Sequence, residues 1–99
     1  MMNPALKVKW IEALRSGKYR QGHNLLHNAA NNTYCCLGVL LDVASITYSP
    51  DNGEKKRGDG YKKIRELVRG ENVVHLAMMN DDGESFSKIA DYIEHVHEL

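Results

Sequence analysis

The 99-residue sequence predicts an α+β fold that is mostly helical, with three to four helices around a central apolar helix and a short β-hairpin. Apolar residues recur at helical spacing in the first and last segments of the chain. A nearly continuous apolar run follows two adjacent cysteines, and an asparagine-rich stretch precedes them. The length is typical of one domain, so we expect residues 1–99 to form a single domain.

The first helix is predicted over residues 4–16. Asn3 is a good N-cap residue, and Pro4 fits the first helical position because its missing N–H is not needed there. Gly17 is predicted to end the helix in a left-handed conformation. The apolar residues of this segment recur at helical spacing and form one stripe, which consists of Leu6, Trp10, Ile11 and Leu14.

The chain that follows lacks a helical pattern and predicts the hairpin. Alternating side chains predict a strand near residues 19–26, and a second strand is predicted near residues 32–36. The asparagines between the two segments favour a turn, because asparagine tolerates positive φ and bonds to its own backbone.

The central helix is predicted over residues 36–46. Only Asp42 and Ser45 interrupt its apolar character, so we expect this helix to be buried and to form the core. Cys35 and Cys36 are neighbours, and adjacent residues do not easily reach the geometry of a relaxed disulfide. We therefore expect both thiols to be reduced, largely buried and structural.

Pro and Gly residues predict a loop over residues 50–60, followed by a helix over residues 60–69. Asp59 is the expected N-cap of this helix, and Gly70 is expected to end it.

The remaining segment predicts a second helical region near the end of the chain. Residues 73–79 fit either a strand or a short helix, and residues 80–84 predict an acidic turn. Ser85 is the expected N-cap of a final helix. Its apolar stripe consists of Phe86, Ile89, Ala90, Ile93 and Val96.

The net charge of zero hides a separation of charge along the chain. Residues 1–70 carry 12 Lys or Arg and 6 Asp or Glu, a net charge of +6, whereas residues 71–99 carry 1 and 7, a net charge of −6. One interpretation is two surfaces that attract each other within the domain, and the other is a basic surface for an anionic partner. The separation also favours self-association, most simply as a two-fold homo-oligomer.

The hydropathy pattern predicts the cellular compartment of the chain and whether it contacts a membrane. No apolar run has the length of a membrane span, so no membrane partner is expected. The first ten residues lack the apolar core of a signal peptide, so a cytoplasmic location is expected.

Catalytic and metal sites are weak alternatives. His23, His27, Cys35 and Cys36 carry metal-binding atoms, but adjacent cysteines point in different directions and rarely bind one zinc ion. A cysteine nucleophile would need an orienting group and an oxyanion hole, for which no local signature exists. We therefore expect no enzyme activity, no metal and no cofactor.

An anionic ligand is the favoured small-molecule partner. The loop after the first helix combines cations, glycines and an aromatic residue, and helix N-termini present N–H groups to phosphate. The alternative is a solvated basic turn. The candidate ligand-binding residues are Arg15, Lys18, Tyr19, Arg20, Gln21, Gly22, His23, Tyr34 and Gly38.

The last 25 residues are similar to a helix–turn–helix, which makes a nucleic-acid-binding regulator the alternative function. The final helix opposes that function because a recognition helix must approach phosphates. It carries a single lysine, Lys88, against four acidic residues, Glu84, Asp91, Glu94 and Glu98.

Three motifs resemble a family of small uncharacterised proteins carried by tailed phages and prophages. They are W-x-EALRSG-x-Y-x-QG from Trp10 to Gly22, CCLGVL-x-D from Cys35 to Asp42, and L-x-x-x-ND-x-G-x-SF-x-x-IAD-x-IE from Leu76 to Glu94. The resemblance implies an accessory protein that acts in the host cell cytoplasm. It implies no particular reaction. By analogy, we expect non-enzymatic binding that antagonises host defence, either by sequestering a nucleotide signal or by docking on a host protein.

Overall fold

The structure is a computed structural model, and it describes residues 2–48 and 59–96. These residues form five helices and a two-stranded antiparallel sheet, which confirms the predicted α+β, mostly helical fold. The elements are α1 (Pro4–Arg15), β1 (His27–Asn28), β2 (Thr33–Tyr34), α2 (Cys36–Val43), α3 (Gly60–Arg65), α4 (Gly70–Asp81) and α5 (Phe86–His95). The loop predicted over residues 50–60 lies almost entirely outside the described residues.

Helix α2 occupies the centre of the fold, as predicted. Every residue from Cys36 to Leu41 is buried, and α2 contacts α1, α3, α4 and β2. The helix is shorter than the predicted 36–46. It ends at Val43 because the backbone of Ser45 adopts a left-handed conformation with φ 57°.

Helix α1 begins and ends as its sequence predicts. The Asn3 side chain accepts hydrogen bonds from the N–H groups of Ala5 and Leu6, and Gly17 has a φ of 76°. The apolar face of α1 packs on α5 and α2, and the Trp10 indole N–H donates to the Cys36 carbonyl over 2.9 Å.

Polar contacts also join α1 to the end of α5. The Lys7 ammonium donates to the Val96 carbonyl over 2.8 Å. The Arg15 guanidinium lies 2.6 Å from a carboxylate oxygen of Asp91 and 3.3 Å from one of Glu94. Here the basic and acidic parts of the sequence are in contact, although exposed ion pairs add little stability.

The hairpin is much shorter than predicted, and the strand expected near residues 19–26 is wrong. The sheet pairs His27 with Tyr34 and Asn28 with Thr33. Residues 19–26 form an irregular loop that makes only an isolated bridge between Gln21 and Tyr34. Extended pairing stops because Asn24 has a φ of 68°, next to a tight turn.

The region after α2 differs from the prediction in three respects. Helix α3 ends at Arg65, before the predicted boundary, and the Asp59 side chain makes no capping hydrogen bond. Gly70 begins α4 instead of ending α3. The carboxylate of Asp59 lies 3.4 Å from the ammonium of Lys63, one turn along α3.

The segment that fitted either a strand or a helix is part of α4. This helix extends to Asp81, so the turn predicted over residues 80–84 begins at residue 82. Gly83, within this turn, has a φ of 96°. The Ser85 hydroxyl accepts the Lys88 N–H, which confirms the predicted cap of α5.

A buried asparagine joins three parts of the chain. Asn80 has no solvent exposure. Its side-chain oxygen accepts from the Gln21 amide over 3.0 Å and from the Cys36 N–H over 3.2 Å, and its nitrogen donates to the Gly22 carbonyl over 2.8 Å. The loop after α1, the start of α2 and the end of α4 therefore share one hydrogen-bond network.

We expect Gly38→Ala to destabilise the fold. An added Cβ at Gly38 would lie 1.9 Å from the Leu26 carbonyl oxygen, which is a backbone atom that cannot move freely. The expected loss is about 1–3 kcal/mol or more in the free energy of unfolding, measured by urea denaturation. Gly70→Ala is the matched control, because a Cβ there would meet no atom within 4 Å. Equal stabilities of the two variants would contradict the close backbone contact.

We also expect Asn80→Ala and Gln21→Ala to be non-additive. Each substitution breaks the same network, and Asn80→Ala leaves the buried Cys36 N–H and Gly22 carbonyl without their partner. Each unsatisfied buried group costs about 1–3 kcal/mol. The double variant should therefore lose less stability than the sum of the two single losses. Simple additivity in urea denaturation would show that the two side chains act independently.

Candidate functional site

A cleft of about 400 Å³ opens between the hairpin and the C-terminal end of α2. Its lining is mostly apolar and aromatic, and it consists of Leu25, Leu26, His27, Ala29, Tyr34, Asp42, Ile46, Thr47 and Tyr48. The short sheet supplies one wall, and the chain leaving α2 supplies the other.

Aromatic rings form the hairpin side of the cleft. The His27 ring stacks on Tyr34 with ring centres 4.2 Å apart and planes at 18°. Tyr34 meets Tyr19 edge to face, with ring centres 5.1 Å apart. The His27 Nε2 atom also lies 3.1 Å from the Asn32 side-chain oxygen. These contacts hold the Tyr34 ring in a fixed orientation beside the cleft.

Asp42 supplies a carboxylate to the lining. It belongs to the last turn of α2, and the Tyr19 hydroxyl donates a hydrogen bond to its Oδ2 atom. Asp42 was not among the candidate ligand-binding residues predicted from the sequence. The signal in the sequence was a single carboxylate in an otherwise apolar helix, since it marks the side of that helix that faces solvent.

The two tyrosines beside Asp42 stay protonated at neutral pH. Burial, followed by the hydrogen bond to Asp42, raises the pKa of Tyr19 to about 12. Burial, followed by the charge of Asp42, also raises the pKa of Tyr34. Both phenols are therefore hydrogen-bond donors and not general bases at this site.

Of the nine candidate ligand residues, Tyr34 lines the cleft and Tyr19 contacts two of its lining residues, Tyr34 and Asp42. Arg15 instead binds the carboxylates of α5. Lys18 lies in a separate, shallow groove between α1 and α2, together with Lys9.

Three of the candidates make contacts inside the protein and not in the cleft: Gln21, Gly22 and Gly38. The first two belong to the Asn80 network, and an added Cβ at Gly22 would lie 2.3 Å from the Thr33 hydroxyl oxygen. Gly38 contacts the Leu26 backbone. Arg20 and His23 have exposed side chains, and the Arg20 carbonyl accepts the Tyr34 N–H over 2.8 Å. The candidate residues are therefore not gathered in one site.

The N-terminus of α2 is closed by protein atoms. The Cys36 N–H is bonded to Asn80, and the N–H groups of Leu37 and Gly38 face the Cys35 thiol. The phosphate position expected at this helix start is thus occupied by the chain's own groups. The open end of α2 is its C-terminal end, where Asp42 lies.

Both cysteines are free and buried, as predicted. Burial raises the pKa of the Cys35 thiol to about 11 and that of Cys36 well above its usual range. The Cys36 thiol lies 3.6 Å from the Leu76 carbonyl. In the part of the chain that the structure describes, no three His, Cys, Asp or Glu side chains are arranged to hold a metal ion.

Across residues 2–48 and 59–96, no helix combines the length and the apolar character that crossing a bilayer requires.

Comparison with known proteins gives one family. The model of a family described as a domain of unknown function (DUF8296) matches residues 2–67, which is two thirds of the chain. The matched residues include the whole lining of the cleft and end before α4. No curated protein and no solved structure matches the chain.

We expect the titration of Tyr19 to report its contact with Asp42. Because its pKa in the folded protein is about 12, above the ordinary 10.0, this tyrosine stabilises the fold fully below pH 10 and loses that effect as the pH rises through 12. Ultraviolet absorbance of phenolate should show a titration near pH 12 that disappears in Tyr19→Phe. Asp42→Asn should lower the pKa of Tyr19, yet not to its ordinary value, because burial is the larger cause. An unchanged titration in Tyr19→Phe would contradict this assignment.

Proposed function

The chain belongs to the DUF8296 family, and we propose that it acts by non-enzymatic binding. The proposed ligand is a nucleotide whose base enters the cleft between the hairpin and α2. Sequestering such a nucleotide would antagonise a host defence signal, in the phage setting that the sequence motifs resemble.

The aromatic cleft is the observation that carries this proposal. Its volume of about 400 Å³ lies within the range of small-molecule sites, and an apolar lining with a few polar groups is typical of them. The orientation of Tyr34 is fixed by His27 and Tyr19, so little side-chain freedom would be lost when a flat ring stacks there.

Asp42 selects among flat rings. Each carboxylate oxygen accepts two hydrogen bonds, so the bond from Tyr19 leaves acceptor positions for a ligand. A base that presents adjacent N–H groups satisfies a carboxylate best, and guanine has this pattern in its ring N–H and its amino group. We therefore favour a guanine nucleotide over one that lacks the amino group.

A cation for the phosphate lies beside the cleft. The Lys63 ammonium donates to the carbonyl of Thr47, a residue of the lining, over 2.5 Å. We favour Lys63 over Arg15, because two carboxylates, Asp91 and Glu94, hold the Arg15 guanidinium. The Lys63 ammonium lies near one carboxylate, that of Asp59, at the longer distance of 3.4 Å. Lys18 and Arg20 carry exposed cations on the loop that holds Tyr19, and they would add long-range attraction for an anion.

Binding without catalysis is supported by the state of the reactive groups. Cys35 and Cys36 are buried, and their pKa values are raised, so neither thiol is a ready nucleophile. The nucleic-acid alternative has less support, because Asp91 and Glu94 on α5 are exposed and would repel phosphates.

We expect the purified chain to bind guanosine monophosphate more tightly than inosine monophosphate in isothermal titration calorimetry. The two ligands differ only in the amino group, and one lost hydrogen bond to a charged acceptor corresponds to about tenfold in affinity. Asp42→Asn should remove this preference, and Tyr34→Ala should lower the affinity for both ligands. Glu66→Gln is the matched control, since it neutralises an exposed carboxylate outside the cleft.

Two results would overturn the proposal. One is the absence of saturable binding of the guanine, adenine and cytosine monophosphates at millimolar concentration. The other is binding that neither Asp42→Asn nor Tyr34→Ala changes. Comparing guanosine with its monophosphate in Lys63→Ala then tests the phosphate contact separately, because only the monophosphate should lose affinity.

A further inference from the structure

Helix α4 exposes two large apolar side chains one turn apart. Val74 is 60% exposed and Met78 is 58% exposed. Among the described residues, the other exposed large apolar side chain is Val8 on α1, at 54%. Exposed apolar residues scattered singly are ordinary, but two on one helix face beside a groove form a candidate contact surface.

The groove lies between α3 and α4 and has a volume of about 510 Å³. We call this surface the α4 face. It consists of Tyr61, Lys62, Arg65, Val73, Val74, Ala77, Met78, Asp81 and Asp82. It shares no residue with the lining of the cleft beside α2.

Opposite charges flank the apolar centre of the α4 face. Lys62 and Arg65 lie on the α3 side, and neither forms an ion pair with any residue that the structure describes. Asp81 and Asp82 lie at the end of α4. A surface with an apolar centre, a basic flank and an acidic flank is complementary to a rotated copy of itself.

We propose that the α4 face binds a second copy of this chain in a two-fold symmetric dimer. Val74 and Met78 of the two copies pack at the axis, with each Met78 in the groove of the other copy. The basic α3 flank of each copy faces the acidic end of α4 in its partner. The formal net charge of zero removes the long-range repulsion that opposes association of identical chains. This inference is independent of the nucleotide proposal.

Sedimentation equilibrium of the full chain over a range of concentrations tests the dimer. The wild-type chain should form dimers at micromolar concentration, and Met78→Glu should be monomeric, because two carboxylates would be placed at the axis. Val8→Glu is the matched control: it adds the same charge at a similarly exposed position on α1 and should remain dimeric. Circular dichroism of each variant checks that the helices are intact.

A charge reversal tests the symmetry of the contact. Arg65→Glu and Asp82→Lys should each weaken dimerisation by about tenfold, since each places like charges opposite one another. The double variant exchanges the two charges of this pair and should restore most of the lost dimerisation. A wild-type monomer at all concentrations would overturn the proposal and leave a different protein as the occupant. Dimers that persist in Met78→Glu, or that Val8→Glu abolishes, would also overturn it.

Discussion

The side-chain amide of Asn80 has no contact with solvent, and its hydrogen bonds reach the loop after α1 and the first N–H of α2. A buried amide without partners costs several kcal/mol in an apolar interior, so the positions of these segments are mutually determined. The same loop also positions the hairpin, because the Gly22 N–H donates to the Tyr34 carbonyl over 2.8 Å. The orientation of the hairpin, and with it one wall of the cleft, thus depends on a residue from α4.

The two ends of α2 have different surroundings, and this difference decides where a ligand can be bound. The first turn is surrounded by Trp10, Asn80 and the backbone of Leu26, so its dipole acts only on protein groups. The last turn carries Asp42 and borders open space. Anion binding at a helix start was a sound general expectation, but it requires exposed N–H groups, which this helix does not have.

The sequence predicted those features that depend on neighbouring residues. The caps at Asn3 and Ser85 and the burial of α2 were all predictable, because capping and apolar periodicity operate within one or two turns. The position of the hairpin was not, since it depends on the contact of Gly38 with Leu26 and on Asn80, which is distant in sequence. Asp42 was missed for the same reason: its partner Tyr19 is brought to it only by the folded chain.

The boundary of the family match has a consequence for how the domain is divided. Residues 2–67 contain α1, the hairpin, α2 and α3, yet the partner of the buried Cys36 N–H and the surface that covers α1 both come from residues beyond this boundary. A fragment ending there would expose the apolar face of α1 to water. The segment that the family model matches is therefore smaller than the folding unit of this chain. A chain reduced to residues 2–67 would need a different polar partner for the Cys36 N–H and a different cover for α1.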